Sequence, residues 1–261
     1  MPNRVRAWAP HVPGIVEALH ARFTDHAYPE HTHDAWTLLL VDEGAVRYDL
    51  DRHEHGALRP AVTLLPPHVA HTGRPATADG FRKRVLYLEG DLLDPALVGR
   101  AVDAPALRDA ALRDRISRLH AALRSPGEAL QSESRLALVS DRLRQHLTDR
   151  PHATSVRDAG LADRLRQLID ASVPSGLSLV DAAVRLGHSP AYLVRAFTGE
   201  YGLPPHRYLT GRRVDLARRL LLDGRPPAAV ATEAGFYDQS HLTRHFSRML
   251  GTTPTRYARH R

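Results

Sequence analysis

Residues 182–208 read AAVRLGHSPAYLVRAFTGEYGLPPHRY, and residues 230–257 read VATEAGFYDQSHLTRHFSRMLGTTPTRY. From Leu193 onward, the second stretch repeats the first at a constant offset of 49 residues. Self-similarity at a fixed spacing indicates two copies of one structural unit. The recurring pairs are Leu193 and Leu242, Arg195 and Arg244, Phe197 and Phe246, Gly202 and Gly251, Pro205 and Pro254, Arg207 and Arg256, and Tyr208 and Tyr257.

Each copy is predicted to consist of two short helices joined by a tight turn. The first helix ends at Gly187 or Gly235, because glycine permits the left-handed conformation that such turns commonly use. The second helix begins at Ser189 or Asp238, whose side chains can cap free backbone N–H groups, and Pro190 suits the first helical position. The sequence therefore predicts two helix-turn-helix units.

The second helix of each unit carries apolar residues at spacing i, i+4, which predicts that this face is buried. The remaining face carries side chains suited to reading bases: arginine chelates guanine, glutamine pairs with adenine, and methyl groups contact thymine. Ordinary solvated helix positions are the alternative. The candidate base-reading residues are Ala191, Val194 and Arg195 in the first unit and Gln239, Ser240, Thr243 and Arg244 in the second.

The segment 204–224, PPHRYLTGRRVDLARRLLLDG, is predicted to be a helix of about 18 residues, or about 27 Å, between the two units. Successive major-groove faces of B-DNA lie about 34 Å apart. A connecting helix of this length would therefore allow the base-contacting helices of the two units to enter adjacent major grooves. Arg213 is expected to form a structural ion pair with a carboxylate. The candidate phosphate contacts are Ser189, Arg212, Arg218, Arg219, Arg248 and Arg256.

The distribution of charge favours an anionic partner for the C-terminal part. Of the 261 residues, 151–261 hold 16 arginines and 9 acidic residues, whereas the preceding part holds 20 residues of each sign. A basic domain beside a neutral one suggests binding to nucleic acid or to an acidic membrane surface. The chain has no cysteine, no apolar run near the length of a membrane span and no signal-like start, so we expect a cytoplasmic protein without membrane partners.

The N-terminal part shows a different periodicity. From about residue 29 to 88, the short stretches WTLLLV, AVRYDL, AVTLLPP and FRKRVLYLEG are separated by turn formers, which predicts a small antiparallel β structure. Two amphipathic helices are then predicted, with one stripe at Leu107, Leu112, Ile116, Leu119 and Leu123 and another at Leu136, Val139, Leu143 and Leu147. The predicted domains are 1–94, an effector-binding domain; 95–148, a helical dimerisation segment; 149–155, a linker; and 156–261, a DNA-binding domain.

The patterns RR-V-x-x-A-x-x-LL, V-A-x-x-A-G-F-x-D-x-S-x-L-x-R-x-F and G-x-x-P-x-x-Y resemble the AraC/XylS family across residues 156–258. The resemblance implies two helix-turn-helix units joined by a long helix, each with a recognition helix in the major groove. Val194 stands where the family usually has a polar residue, and Ala191 is small. These departures make Arg195 the expected specific contact of the first unit.

Residues 29–88 resemble the cupin-like effector domain that is often fused to such regulators, through PEHTHDAW, Gly44 and LLPPHVAHTG. His31, His33 and His71 are expected to converge and to bind a transition metal, to line a small-molecule pocket or to serve a structural role. Thr37 and Leu38 occupy the positions where a metal cupin usually has glutamate, so a divalent metal is possible there but not favoured, and no cofactor is required. The candidate pocket residues are His31, His33, Trp36, Arg47, His71, Arg82, Arg84 and Tyr87.

Together these features predict an α+β protein: an N-terminal cupin-like β-barrel, two following helices, and an all-α C-terminal domain with two helix-turn-helix units. The leading hypothesis is a transcription regulator that binds double-stranded DNA and responds to a small-molecule effector, without enzyme activity. The two helical stripes favour a homodimer, and RNA polymerase is a further candidate partner. The rival hypotheses are a metal-dependent cupin enzyme with a helical appendage and a constitutive architectural or repressor protein.

Overall fold

The computed structural model describes residues 3–51, 53–57, 60–148 and 156–258. The chain divides into two compact units: residues 1–121 with 138–152, and residues 122–137 with 153–261. The segment 95–148 is thus shared between the two units and does not form a domain of its own. The predicted linker 149–155 lies outside the described residues.

Two antiparallel sheets enclose the core of the first unit. One has the strand order β1-β2-β9-β4-β7-β10 and the other β3-β8-β5-β6, and the core between them contains Phe23 and Val85 from one sheet and Tyr48 and Leu50 from the other. This confirms the predicted α+β fold class, with a β domain of two antiparallel sheets preceding the helices. The strands are β1 Arg4–Trp8, β2 Ile15–Phe23, β3 Tyr28–His31, β4 Trp36–Gly44, β5 Val46–Leu50, β6 His53–Ala57, β7 Val62–Leu65, β8 His71–Pro75, β9 Phe81–Leu88 and β10 Ala106–Leu107.

The register of β4 and β9 decides which side chains face the core between the sheets. Thr37 pairs with Tyr87, and Val41 pairs with Lys83. Because successive side chains on a strand point to opposite faces, the odd-numbered residues of both strands face inward. The even-numbered Leu38, Leu40, Leu86 and Leu88, with Trp36, lie on the opposite face and are also fully buried.

Helix α2, Ala110–Ala122, covers this outer face. Arg113 Nη2 of α2 donates to the Val41 carbonyl at 2.7 Å, and Arg84 of β9 donates to Ser117 of α2 at 3.2 Å. The first unit contains a 3-10 turn at Pro95–Leu97 and the helices α1 Val98–Asp103 and α2 Ala110–Ala122, while α3 Ala129–Thr148 contributes its second half.

Asp109 ties α2 to the second half of α3. It caps α2 by accepting the Leu112 N–H at 3.0 Å, and it accepts Arg142 at 2.6 Å and His146 at 2.8 Å. Burial alone would raise the pKa of Asp109, but these donors outweigh burial and hold the pKa well below its usual range.

The predicted helical stripes are covered within the single chain. The expectation of a spare apolar face for dimerisation is wrong for these residues, because their side chains are at most 3% exposed without any partner chain. They are Leu112, Ile116 and Leu119 of α2 and Val139, Leu143 and Leu147 of α3.

The second unit is helical, and its predicted turn glycines and helix caps are confirmed. Gly187 and Gly235 have φ of 69° and 80°. The side chains of Ser189 and Asp238 accept the backbone N–H groups of Tyr192 and His241, each three residues further along the chain. The helix between the two copies has the predicted 18 residues. The helices are α4 Ala159–Ala171, α5 Leu179–Leu186, α6 Pro190–Tyr201, α7 Pro205–Leu222, α8 Pro227–Glu233, α9 Gln239–Leu250 and α10 Pro254–Ala258.

Leu242 and Phe246 of α9 are fully buried against α7 and α8, in a core that also contains Val214, Ala217 and Val230. Spacing i, i+4 therefore identified the buried face of this helix. No helix among the described residues is long and apolar enough to cross a membrane.

Candidate functional site

Helix α9 presents all four of its predicted base-reading residues outside the stripe formed by its buried residues Leu242 and Phe246. Gln239, Ser240 and Arg244 are exposed, and Thr243 is partly exposed. Asp238 fixes the start of the helix by accepting the His241 N–H at 2.6 Å. Solvent exposure therefore leaves these side chains able to contact a partner molecule.

Glu128, immediately before α3 and within the second unit, contacts three side chains of α9. Its Oε1 lies 2.9 Å from His245 Nε2, 3.4 Å from Arg244 Nη2 and 3.5 Å from His241 Nε2. Burial would raise the pKa of Glu128, but the hydrogen bonds from His241 and His245 outweigh it and hold the pKa well below its usual range. One carboxylate therefore engages the recognition helix and a candidate base reader at once.

Sequence reasoning did not assign a role to Glu128, His241 or His245. The i, i+4 spacing of the two histidines is the available signal, since it places both rings on one helix face. With Glu128 they form a group whose potential metal-ligating atoms lie within 4.8 Å of one another. However, His241 Nδ1 accepts the Tyr237 N–H at 3.2 Å, so the ring proton is on Nε2 and no lone pair faces Glu128.

The first recognition helix, α6, differs from the prediction. Ala191 and Val194 are each only 3% exposed, so their assignment as base readers is wrong. The buried face of α6 is wider than that of α9, because these small and apolar side chains extend the stripe formed by Leu193 and Phe197. Arg195 is partly buried, with its Nε inaccessible to solvent.

Other residues occupy the exposed start of α6. His188 and Ser189 are exposed, and the His188 ring stacks on the Tyr192 ring with centroids 5.1 Å apart. The sequence shows this pair as H-S-P-A-Y. Only the burial of Ala191 and Val194 shows that His188, with the partly exposed Tyr192, occupies the solvent-facing start of α6.

The predicted phosphate contacts fall into two groups. Arg219, Arg248 and Arg256 are exposed. Arg212 donates to Asp170 at 2.8 Å, and Arg218 lies 3.5 Å from Asp215, so both arginines already have acidic partners.

Two further predicted contacts are structural in the described chain. The Ser189 hydroxyl caps α6 by accepting the Tyr192 N–H at 3.3 Å. Arg213 Nε donates to the Val173 backbone carbonyl at 2.9 Å, so the hydrogen-bond partner is a carbonyl where a carboxylate was expected.

Glu133 of α3 engages the first helix-turn-helix unit from the same segment as Glu128. Its Oε2 accepts the Leu179 N–H at 2.6 Å at the start of α5, and the Ser178 hydroxyl donates to it at 3.4 Å. The two glutamates together join residues 122–137 to the start of α5 and to α9.

In the first unit, the structure brings His31, His33 and His71 together, and these three are called the barrel histidine cluster below. Their potential ligand nitrogens lie within 4.8 Å of one another, although His33 lies just beyond the end of β3. The Nδ1 atoms of His31 and His71 lie 2.7 Å from Pro29 O and 3.0 Å from Val69 O. A carbonyl only accepts, so Nδ1 carries the proton and Nε2 of both rings has a free lone pair.

Burial, with the charges of His71, His31 and Lys83, lowers the pKa of His33 to about 4. Burial likewise lowers the pKa of His71. Tyr87, as predicted, borders the cluster, with its ring centroid 5.0 Å from that of His33. The imidazoles of His33 and His71 are therefore neutral near pH 7.

Three imidazole nitrogens within this range suit a transition metal. Thr37, which occupies the cupin glutamate position, is buried, and its Oγ1 has no hydrogen-bond partner among the described residues. A neutral hydroxyl is a weaker metal ligand than a carboxylate, so the donor set fits a metal only through its three nitrogens.

Four predicted pocket residues do not face the space between the sheets. Trp36 is fully buried on the opposite face, with Nε1 donating to Gly90 O at 3.1 Å. Arg84 makes two 2.7 Å bonds to Asp42. Arg82 pairs with Glu43 at 3.0 Å, and Arg47 is exposed 3.8 Å from Glu54.

Lys83 and Tyr28 are inward-facing neighbours of the barrel histidine cluster that sequence reasoning missed. Lys83 lies between Arg82 and Arg84 but on the inward face of β9, with Val85 and Tyr87. Its Nζ is 4.2 Å from the centroid of the Tyr28 ring. Alternation along FRKRVLYL was the signal, because it separates Lys83 from both neighbouring arginines.

A β domain with a histidine cluster, followed by two helix-turn-helix units, is typical of a DNA-binding regulator with a separate ligand-binding domain. Residues 13–140 match the AraC-like ligand binding domain family, and residues 182–260 match a helix-turn-helix domain family. The chain is an AraC-family transcription regulator with an N-terminal ligand-binding domain and a C-terminal DNA-binding domain.

Two relatives of this chain are named as transcription regulators. YbfI of Bacillus subtilis, an HTH-type transcriptional regulator, is 24% identical over 238 residues, which is 87% of this chain and 86% of YbfI. A putative AraC-like transcription regulator of Streptomyces lividans is 33% identical over 123 residues, 45% of this chain and 40% of that protein. Among solved structures, the C-terminal domain of AraT from Geobacillus stearothermophilus is 31% identical, with a TM-score of 0.38, covering 41% of this chain and 89% of that one.

Proposed function

We propose that this regulator reads its DNA site chiefly through α9, with α6 as a weaker second reader. The observation that carries the proposal is that α9 leaves four side chains outside its fully buried core stripe. Three are exposed and one, Thr243, is partly exposed; the others are Gln239, Ser240 and Arg244. Helix α7, about 27 Å long, separates the two recognition helices along the chain by a length suited to adjacent major grooves. Arg219, Arg248 and Arg256 neutralise phosphates on either side.

Selection of binding sites from random double-stranded DNA, followed by fluorescence anisotropy, tests this assignment. Arg244→Ala should weaken binding to the selected site by about five- to 150-fold and relax the preference at one base pair, because a bidentate contact discriminates by about 1–3 kcal/mol. Arg248→Ala should weaken binding to all sequences alike and lower the salt dependence by about one counterion. Arg118→Ala, on the exposed surface of α2, is the control. Unchanged affinity and selectivity in Arg244→Ala would show that α9 does not read the site.

We further propose that a small-molecule effector binds at the barrel histidine cluster and controls DNA binding. The cluster, Lys83, Tyr28 and Tyr87 supply polar groups on the inward face of the sheets, where Thr37 also has an unused hydroxyl. A specific ligand should raise the melting temperature by mass action and change the affinity for the selected DNA. If the ligand changes neither quantity in the full chain, the cluster is not the sensor.

The regulator is proposed to act in the cytoplasm, where its DNA lies, and as a homodimer, with RNA polymerase as a further partner. Since the stripes on α2 and α3 are covered, a dimer must use another surface, and Val5 and Val16 on β1 and β2 are exposed apolar side chains. Sedimentation equilibrium of wild type and Val16→Glu tests this, with a monomeric variant as the expected result.

An enzymatic role is disfavoured by Thr37 in the glutamate position, and stoichiometric iron with oxygen consumption in untagged protein would restore it.

A further inference from the structure

Lys83 holds a positive charge inside the first unit without an acidic partner. It lies at the centre of the six-stranded sheet, where β9 pairs with both β2 and β4. Its Nζ lies 4.2 Å from the centroid of Tyr28 and 5.9 Å from each of the Phe23 and Phe81 rings. Within the part of the chain that the structure describes, no carboxylate pairs with it.

Aromatic faces stabilise an ammonium group only partly, whereas a buried charge without a counter-ion is costly. Burial lowers the pKa of Lys83 to about 8, which leaves the amine mostly protonated at pH 7. Lys83 is the only basic residue on the inward-facing positions of β9, because Arg82 and Arg84 point to the opposite face and pair with Glu43 and Asp42. Glu17 of β2 shares the inward face, but its register partner is Tyr87, four positions from Lys83 along β9. The Lys83 ammonium therefore has a charge that an anionic ligand would balance.

The barrel histidine cluster adds acceptors to this cation. His31 and His71 commit their Nδ1–H groups to backbone carbonyls, so their Nε2 atoms accept hydrogen bonds. The charge of Lys83 acts on both His33 and His71, which places these groups in one electrostatic environment. A fitting ligand thus combines an anionic group with a hydrogen-bond donor.

We propose that the effector is a small organic carboxylate bearing a hydroxyl or amino group, with its carboxylate bound by Lys83 and its donor bound by Nε2 of His31 or His71. This inference rests on the proposed sensor role of the first unit. The rings of Tyr28 and Tyr87 flank these groups and would contact an aromatic or aliphatic body.

The same charge argues against a divalent cation as the occupant of the cluster. A metal held by three neutral imidazoles would keep its full double charge, because no carboxylate joins the ligand set. The Lys83 ammonium would then face a cation across the same space, and like charges repel strongly where water is excluded. An anion removes this conflict.

Calorimetric titration and thermal shift with matched ligand pairs test the inference in the full-length protein. The probes are 4-hydroxybenzoate, lactate and anthranilate, each beside its neutral primary amide, which keeps the shape and removes the charge. The proteins are wild type, Lys83→Met, Lys83→Arg and the control Arg82→Gln, which changes the exposed neighbour on the same strand. Circular dichroism establishes that each variant is folded, and Lys83→Arg keeps the test valid if Lys83→Met does not fold.

At least one acid should bind wild type at least tenfold more tightly than its amide. Lys83→Met should lose at least tenfold in affinity for that acid, while Lys83→Arg and Arg82→Gln stay within about threefold. Equal binding of acids and amides, unchanged binding in Lys83→Met, or no binding of any acid overturns the proposal. Stoichiometric Zn²⁺ binding that His71→Gln abolishes also overturns it. A neutral ligand that alters DNA binding would refute the anionic class and leave the sensor role intact.

Discussion

Replacing Glu128 with glutamine should have opposite effects on folding and on DNA binding. The substitution keeps the size of the side chain and removes the charge that His245, Arg244 and His241 of α9 surround. Glu128 is nearly buried, at 13% exposure, and His245 is 15% exposed, whereas Arg244 is 53% exposed. The contribution of each contact therefore differs.

The His245 contact dominates the effect on stability. A hydrogen bond to a charged partner contributes about 1.5–3 kcal/mol, and the glutamine carbonyl retains part of it, so the free energy of unfolding should fall by about 1–2 kcal/mol. The contact with Arg244 is longer and largely solvated, and a pair of this kind contributes about 0.2–1 kcal/mol.

That smaller contact decides the effect on DNA affinity. Arg244 must leave Glu128 to chelate a base, so its release in Glu128→Gln removes a competing interaction. The gain in affinity for the selected DNA should reach up to about fivefold, which corresponds to the upper end of about 1 kcal/mol.

Urea denaturation and fluorescence anisotropy at fixed salt measure the two quantities. Glu133→Gln is the matched control, because Glu133 lies on the same segment and caps α5 without touching α9. In a double-mutant cycle, the affinity gain should disappear when Arg244→Ala is also present. A folded Glu128→Gln protein that binds DNA more weakly than wild type would show that Glu128 positions α9 for binding and does not compete with it.

Three further outcomes are expected. Burial lowers the pKa of His120 to about 3, so the unfolded chain binds this proton more readily between pH 6.5 and 3, and stability falls on acidification. In His120→Gln, the loss of unfolding free energy between pH 7 and 5 should shrink by about 2 kcal/mol, and an unchanged loss would contradict the assignment. Val194→Thr should reduce stability by about 1–2 kcal/mol, as buried hydroxyls do, and leave the selected DNA sequence unchanged; a new base preference would restore Val194 as a reader. Asp238→Ala should lower stability by about 1 kcal/mol and DNA affinity with it, measured by the same two assays, and an unaffected variant would show that the cap is dispensable.

The helix-turn-helix units were predictable because their signals are local. Left-handed glycines such as Gly187, side-chain caps such as Asp238 and the i, i+4 pair Leu242 and Phe246 each act within one or two helical turns. Because the unit is repeated, the turn glycine, the helix cap and the i, i+4 apolar pair each occur twice in the sequence. The length of α7 followed from the same periodicity.

The burial of Ala191 and Val194 was not predictable in this way. Helical spacing places them beside the core stripe, and only the packing around α6 shows that the stripe widens to include them. Both residues are small or apolar, so contact with base methyls and burial in a core are equally compatible with their chemistry.

The proposed sensor site likewise combines features that the sequence predicted with features that only packing decided. Convergence of His31, His33 and His71 followed from their motifs, yet Trp36, Arg82 and Arg84 were placed on the wrong face and Lys83 was overlooked. Both faces of β4 are buried over WTLLLV, so that stretch lacks the contrast between apolar and polar positions that reveals register. In FRKRVLYL, alternation separates Lys83 from both arginines but does not show which of these side chains faces the core.

The sequence by itself determined that this chain carries two helix-turn-helix units, a β domain with converging histidines and a basic C-terminal part, because caps, periodicity and charge are properties of neighbouring residues. Only the tertiary structure decided that Lys83 faces inward and that Glu128 meets His245, 117 positions away. Contacts at such separation depend on how whole elements pack, and that packing is a cooperative outcome of the entire core and is not encoded in any short pattern.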